Sequence, residues 1–265
     1  MTGTRTAAKV ALVTGGTKRL GFELAKALAR AGYALALSYR SDADAAGRAV
    51  DFLRKEEGAR AQAFHADFSA DNAPDSLFEE VFSSSLFSSS SSSSSPRSAA
   101  PPRLDALVHA ASPWIPKPFA SVTVSDWEAV FRAGPRAAFF LAQAAAPALR
   151  AAQGSILLVS DVAATQAWPS HIPHVAAKAA LNALVSNLAV ALGPDVRVNA
   201  IAPGVVLPPV EMSAAAVAAL VARTPLARKV GVEDLTAMAI AVLENRSMTG
   251  QIVTVDAGRS VRGEA

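Results

Sequence analysis

The sequence predicts one α/β domain built on a parallel sheet, and two observations predict it. Short apolar runs alternate along the chain with stretches whose apolar residues recur at helical spacing. The runs are apolar on both faces, which suits strands covered by helices on both sides. The first run also leads directly into a glycine-containing turn, Thr14 to Gly21, and then a helix.

In chain order the strand candidates are Val10 to Val13, Ala34 to Ser38, Ala61 to His65, Leu104 to His109, Ser155 to Ser160, Val196 to Ile201 and Gln251 to Val255. A helix starting near Phe22 follows the first, with Phe22, Leu24, Ala25 and Leu28 on its apolar face. A later helix carries Val175, Leu181, Leu184, Leu188 and Leu192 at the same spacing. The pattern is that of a single doubly wound, Rossmann-type domain over residues 1–265 with about seven parallel strands. One segment departs from it. Ser83 to Ser95 is nearly all serine apart from Leu86 and Phe87, and Pro96 to Arg103 adds Pro, Ser and Ala. Such a composition buries little surface, so about 83–103 reads as a disordered insert before the fourth strand. A neutral low-complexity expansion and a phosphorylated regulatory tract both fit it.

Composition excludes several classes. The chain has 265 residues, 51% hydrophobic and 18% charged, with mean hydropathy +0.28, enough for a large core and too apolar for a disordered protein. A net charge of +3 with no long Lys/Arg block gives no electrostatic footprint for nucleic acid. Zero cysteines exclude a disulfide scaffold, a thiol nucleophile and a Cys-ligated zinc site, and the four histidines show no metal-ligand spacing. The apolar stretches Ala133 to Leu149 and Ala179 to Gly193 are interrupted by Arg136, Gln143, Asn182 and Asn187, so no membrane span is expected. The residues before the first strand leave no room for a signal peptide, and the cytoplasm is expected.

The turn Thr14-Gly15-Gly16-Thr17-Lys18-Arg19-Leu20-Gly21 lets backbone N–H groups and a helix N-terminus approach a pyrophosphate. Here the chain resembles the short-chain dehydrogenase/reductase family, whose loop reads T-G-x-x-x-G-x-G. Arg19 stands at the middle glycine, as in the variant loop of pteridine reductases, where the resemblance implies that the arginine reaches both cofactor phosphates and pterin. The resemblance runs from Lys9 to about Val261, interrupted by the serine tract. At the end of the second strand Ser38 and Tyr39 stand where an NAD site usually holds a carboxylate. Arg40, with Lys18 and Ser41, offers donors to a 2′-phosphate, which favours NADPH. Asp42 and Asp44 read as solvated helix-start residues. The resemblance adds Asp67 and Phe68 at the adenine, Ala110 after the fourth strand, and Pro203 and Gly204 on the nicotinamide side. It completes a cofactor set of Gly15, Lys18, Arg19, Leu20, Gly21 and Lys178.

Hydride transfer to C=N or C=O needs a proton donor beside the acceptor and a cation to tune it. The family uses a tyrosine with a lysine four residues later on the same helix face. Here the segment is His174-Val175-Ala176-Ala177-Lys178, so the lysine is present and a histidine replaces the tyrosine. Asp161 lies thirteen residues before His174, the family's serine-to-tyrosine spacing, and pteridine reductases carry an aspartate there. The family's Asn-Asn-Ala-Gly reads His109-Ala110-Ala111-Ser112, and its helical asparagine reads Gly134. Ser112-Pro113-Trp114 matches the segment whose aromatic ring stacks on the pterin; core or lid packing is the other reading of Trp114. Lys178, one turn away, opposes a positive charge on His174, so proton delivery is expected through water ordered by Asp161 and Lys178. His174 reads either as a donor or as a non-catalytic replacement. His65, His109 and His171 read as structural.

The expected function is therefore NADPH-dependent reduction of a pterin or dihydrofolate-like C=N bond. Asp161, His174 and Lys178 are expected at the chemistry, and Arg19, Ser112, Trp114 and Asp161 at the substrate. A binding protein for NADP(H) or a pterin without turnover, and a reductase of another carbonyl, are the alternatives. By resemblance a homotetramer or dimer is expected, through helices starting near Ser125 and His171 with Ala-rich faces.

Overall fold

The fold grows from β1 (Lys9–Thr14), buried at every position after Lys9. A strand buried on both faces needs a helical layer on each and a partner at each edge. The computed structural model, which describes residues 8–84, 86 and 102–261, supplies all of these. The elements run α1 (Arg19–Arg30), β2 (Tyr33–Tyr39), α2 (Ala43–Lys55), β3 (Ala61–His65), α3 (Ala73–Ser83) and β4 (Ala106–His109). Then follow α4 (Val124–Phe131), α5 (Ala137–Ala152), β5 (Ser155–Val159), α6 (Ile172–Leu192), β6 (Arg197–Pro203), α7 (Ala214–Ala222), α8 (Val232–Glu244) and β7 (Ile252–Val255). All seven strands pair in parallel in the order β3-β2-β1-β4-β5-β6-β7. β1 thus lies between β2 and β4, where the winding changes direction and a crevice opens beyond the strand ends.

Alternation along the strands divides the core in two. Ala11, Val13, Leu35 and Leu37 face α1, α2 and α8, meeting Leu24, Leu28, Leu53 and Leu235. Leu12, Leu107, Ile156 and Leu158 face α3, α5 and α6, meeting Leu77, Leu141, Leu149 and Val185. Full burial of each such side chain stabilises by roughly 1.5–3 kcal/mol. α6 is 21 residues long and apolar enough to cross a membrane by composition. Its Leu181, Val185, Leu188 and Leu192 belong to the core.

The predicted strands are all present, with ends shifted by one or two residues, and α1 begins at Arg19 rather than near Phe22. Two expectations need correction. The helix starting near Ser125 is not one long rod: Arg132–Arg136 forms a π turn between α4 and α5, with Gly134 at φ −91°, ψ −110°. Pro135 has no N–H to continue the helical ladder, and glycine adopts the deviant ψ without a clashing Cβ. The serine tract does not begin in disorder either. Ser83 closes α3, and Leu86 is buried in the core while its carbonyl accepts from Arg60 Nη2 at 2.8 Å. Residues 85 and 87–101 of that expected insert lie outside the described residues. Leu86→Ala is expected to cost about 2–4 kcal/mol in urea unfolding, as a core leucine does. A loss below about 0.5 kcal/mol, the range of surface changes, shows that this leucine lies outside the core.

Candidate active site

The site starts where β1 runs into its turn. Gly15 takes φ +62°, a left-handed conformation, and its N–H donates to Ser38 Oγ at 3.2 Å, bracing the turn on β2. At Gly21 a Cβ would lie 2.1 Å from the Gly15 carbonyl oxygen, so no side chain fits. Arg19, at the position of the family's middle glycine, holds φ +49°; a non-glycine residue there costs about 1–2 kcal/mol. α1 has neither a side-chain cap nor an acidic residue in its first turn, whereas α2 is capped by Asp42. A cradle that a Cβ would fill and an uncapped helix N-terminus both fit a dinucleotide pyrophosphate.

At the end of β2, Tyr39 stands edge-on to His65, and Arg40 and Ser41 are exposed. Lys18 is paired with Asp42, Nζ to Oδ2 2.5 Å, so a phosphate there would compete with that carboxylate. Asp42 also accepts the Ala45 N–H, which makes it the helix-start residue expected. Beyond β3, the Ser69 N–H holds the Asp67 carboxyl below its ordinary range, with Arg40 contributing. Phe68 is buried against His109, ring centroids 6.3 Å apart, so only its backbone is free to serve a ligand.

Thr14, the last residue of β1, joins this loop to the end of β4. Its hydroxyl accepts the N–H groups of Ala110 (3.2 Å) and Ala111 (3.3 Å) and lies 2.9 Å from His109 Nδ1. With both lone pairs taken, its single proton goes to His109, so Nδ1 accepts and Nε2 carries the ring hydrogen. Among the described residues that buried Nε2 has no partner at full hydrogen-bond geometry, and the carbonyls of Ala133 and Gly134 are the acceptors that face the ring. Burial, reinforced by the Lys178 charge and opposed by the carbonyls of Ala133 and Gly134, pulls the His109 pKa down to about 4.

On the other side of β4 a cleft of about 1420 Å³ collects most of the expected residues. Arg19, Leu20, Ala110, Ser112, Trp114, Asp161, His174, Lys178, Pro203 and Gly204 all line it. Gly15, Lys18, Gly21, Tyr39, Arg40, Ser41, Asp67 and Phe68 do not line it; they follow the ends of β1, β2 and β3. Asp161 leaves β5 in extended conformation; its Oδ1 accepts the Ala163 N–H at 2.8 Å, and its Oδ2 lies 3.2 Å from His174 Nε2. His174 Nδ1 is buried and unpartnered, and the Trp114 ring stands edge-on at 4.8 Å. Lys178 is buried and donates to the Val159 carbonyl at 2.7 Å; burial lowers its pKa to about 8 against the pull of Asp161. It therefore stays mostly charged at pH 7. Arg19 crosses the cleft to the Leu207 carbonyl.

Three comparisons bear on this site. A family model described as Enoyl-(Acyl carrier protein) reductase matches residues 97–260. The hydroxynaphthalene reductase-like protein Arp2 of Metarhizium anisopliae is 35% identical over 200 residues, 75% of this chain and 68% of the relative. The chain belongs to the short-chain dehydrogenase/reductase family. It is an oxidoreductase of that type, and the family binds NAD(P) and acts on small molecules. FolM alternative dihydrofolate reductase 1 from Brucella canis, complexed with NADP, superposes with TM-score 0.84 at 25% identity, covering 98% of this chain and 96% of that one. A 7α-hydroxysteroid dehydrogenase complexed with NADH and 7-oxo glycochenodeoxycholic acid superposes with TM-score 0.82 at 28% identity, covering 94% and 93%. The same dehydrogenase/reductase fold thus serves either nicotinamide cofactor.

Some of the site escaped the sequence reading. His171, expected to be structural, lines the cleft with its ring 4.6 Å from Trp114. Gln166, Trp168, Arg223 and Arg259 line it too. The density of aromatic and histidine residues in Trp168 to His174 was the available signal.

Two outcomes follow. Gly21→Ala is expected to weaken NADPH binding at least tenfold by calorimetry, because the added methyl must displace the Gly15 carbonyl; unchanged affinity would show that the turn has slack. His109 takes a proton in the unfolded chain below about pH 6.5, but in the folded chain only below about 4. The unfolded chain binds more protons in that window, so stability is full above it and falls as pH drops through it, by at most about 1.4 kcal/mol per unit. Denaturant unfolding at pH 7 and 4.5 is expected to show this loss in the wild type and a smaller one in His109→Asn.

Proposed function

We propose that this oxidoreductase is an NADPH-dependent reductase of pteridine-reductase type, acting on a C=N bond of a pterin or dihydrofolate-like substrate. It works in the cytoplasm as a tetramer or dimer, and has no nucleic-acid or membrane partner. The observation that carries the reading is the Asp161–His174 pair, 3.2 Å apart, beside the part-exposed Trp114 ring. A proton-handling pair next to a flat apolar face suits a planar ring that must be protonated on nitrogen. The likeness to a dihydrofolate reductase complexed with NADP supports the substrate class and the cofactor.

The nicotinamide supplies hydride when bound. Arg19, Ser112 and Trp114 place the ring, with Arg19 held by the Leu207 carbonyl. Ala163 holds one oxygen of Asp161, and His174 faces the other, so a proton taken from solvent onto the pair is held at Asp161 and passes to the substrate nitrogen. The pair supports a role for His174 in holding that proton, over the reading as a non-catalytic replacement. Lys178, charged and buried, holds the ribose hydroxyls and stabilises negative charge near Asp161. Arg40 and Ser41, exposed at the end of β2, receive the 2′-phosphate, with Lys18 released from Asp42. A second reading, reduction of a fused-ring aromatic ketone, is favoured by the 35% identity to hydroxynaphthalene reductase-like proteins, whose substrate would also lie flat on Trp114.

NADPH oxidation at 340 nm with dihydrobiopterin, dihydrofolate and a naphthol-type ketone across pH 4.5 to 8 tests this. Asp161→Ala is expected to lower kcat/KM for the pterins by about 10²–10⁴-fold, and His174→Tyr to keep measurable activity. Tight NADPH binding without turnover of any pterin, in the wild type and in His174→Tyr, would overturn the reading in favour of a binding protein. Turnover of the ketone alone would establish the second reading.

A further inference from the structure

Beyond the reaction centre, the cleft has one wall that the proposed chemistry does not use. Ring contacts run from Trp114 to His171 (4.6 Å), from His171 to Trp168 (5.9 Å), and from Trp168 to the Arg259 guanidinium (4.9 Å). The wall is held in place. Trp168 Nε1 donates to Gln166 Oε1 at 3.0 Å, and Gln166 Nε2 donates to the Arg259 carbonyl at 3.4 Å. At its end Arg259 lies half-buried with Arg223 near enough for the two charges to repel, and both side chains line the cleft. Neither makes an ion pair among the described residues.

The carboxylates that could balance them are committed elsewhere. Asp256 accepts the N–H groups of Gly258 and Ser260, and Asp161 accepts that of Ala163 and faces His174. Among the cleft residues, Arg19, Lys178, Arg223 and Arg259 stand against only Asp161 and Glu211. Two like charges near each other, one over an indole ring at 4.9 Å and part-desolvated, are an arrangement that an incoming anion relieves. Burial and the neighbouring Arg223 both press the Arg259 pKa below its ordinary value, while Asp161 and Asp256 oppose them.

We propose that Trp168, Arg259 and Arg223 form a carboxylate subsite, so that the preferred substrate is a flat heteroaromatic ring bearing an anionic tail rather than a neutral one. The choice of ring rests on the pterin reading; the anion preference rests on the wall. A planar carboxylate matches the guanidinium fork, and a ring linking tail to head would lie along Trp168 and His171.

Two measurements on NADP-loaded protein separate these layers. Binding of folate and of 6-methylpterin, read by tryptophan fluorescence quenching, is expected to favour folate at least tenfold in the wild type. In Arg259→Gln that ratio falls at least tenfold, in Arg259→Lys by less, and in Arg223→Gln by a smaller factor. In parallel, the ratio of kcat/KM for dihydrofolate over dihydrobiopterin moves with it. Equal affinity for folate and 6-methylpterin in the wild type, or a ratio unchanged in Arg259→Gln, overturns the subsite. Should Arg259→Gln not fold, wild-type binding at 0.5 M NaCl decides: the folate preference shrinks if the subsite is real and persists if it is not. Folate preference that depends on Arg259 without NADPH oxidation by either dihydropterin overturns the reductase reading and leaves the subsite standing.

Discussion

A single hydroxyl, on Thr14, ties the two halves of the site together. It sits at the carboxyl end of β1, where the winding of the sheet changes direction and two loops must diverge. By accepting the N–H groups of Ala110 and Ala111 it fixes the turn after β4 to the turn after β1. Gly15 can then swing into its left-handed conformation against Ala111, where an added Cβ would meet the Ala111 Cα at 3.1 Å. The turn after β1 and the Ser112–Trp114 segment therefore keep a constant offset at the mouth of the cleft. The remaining proton of the hydroxyl selects the His109 tautomer, so the same atom also decides which way a buried ring is polarised.

Behind these loops lies a second constraint, a buried positive charge. Lys178 has the Val159 carbonyl as its hydrogen-bond acceptor and makes no ion pair among the described residues, and burial draws its pKa to about 8. Keeping an ammonium there costs stability that an apolar residue would not cost. His109, buried on the same side, answers the charge by remaining neutral. The break at Gly134–Pro135 turns the carbonyls of Ala133 and Gly134 toward that ring, where they partly offset its desolvation. Helix irregularity, neutral imidazole and charged lysine thus form one electrostatic unit, with the negative ends of peptide dipoles facing the excess positive charge.

What the sequence made legible follows from how local each signal is. Continuous apolar runs between helix-period stretches mark the strands, and the turn after β1 is readable because its glycines answer a local steric demand, as the 2.1 Å clash at Gly21 shows. Strand ends move by a residue or two because pairing across the sheet, not propensity, ends a ladder. The features that were missed depend on partners far away in sequence. Leu86 looks like part of a serine tract and is buried by contacts with α3 and β3 neighbours. Lys18 looks free for a phosphate until β2 brings Asp42 beside it. Arg259 gains its place only when the last strand carries it to Trp168, ninety-one positions earlier in the chain.

Asp161 and His174 are best understood together. A histidine buried at 174 has two ring nitrogens to satisfy, and a serine at 161 would offer a single weak partner; a carboxylate offers a strong one and fixes the ring. With Asp161 as acceptor, Nε2 carries the hydrogen and Nδ1 turns its lone pair into the buried side near Trp114. Removing either partner strands a buried polar atom, a cost of about 1–3 kcal/mol, so neither change is easily tolerated alone. Their coupling fixes a hydrogen-bonded proton at the wall of the cleft, so that ring and carboxylate keep one mutual orientation.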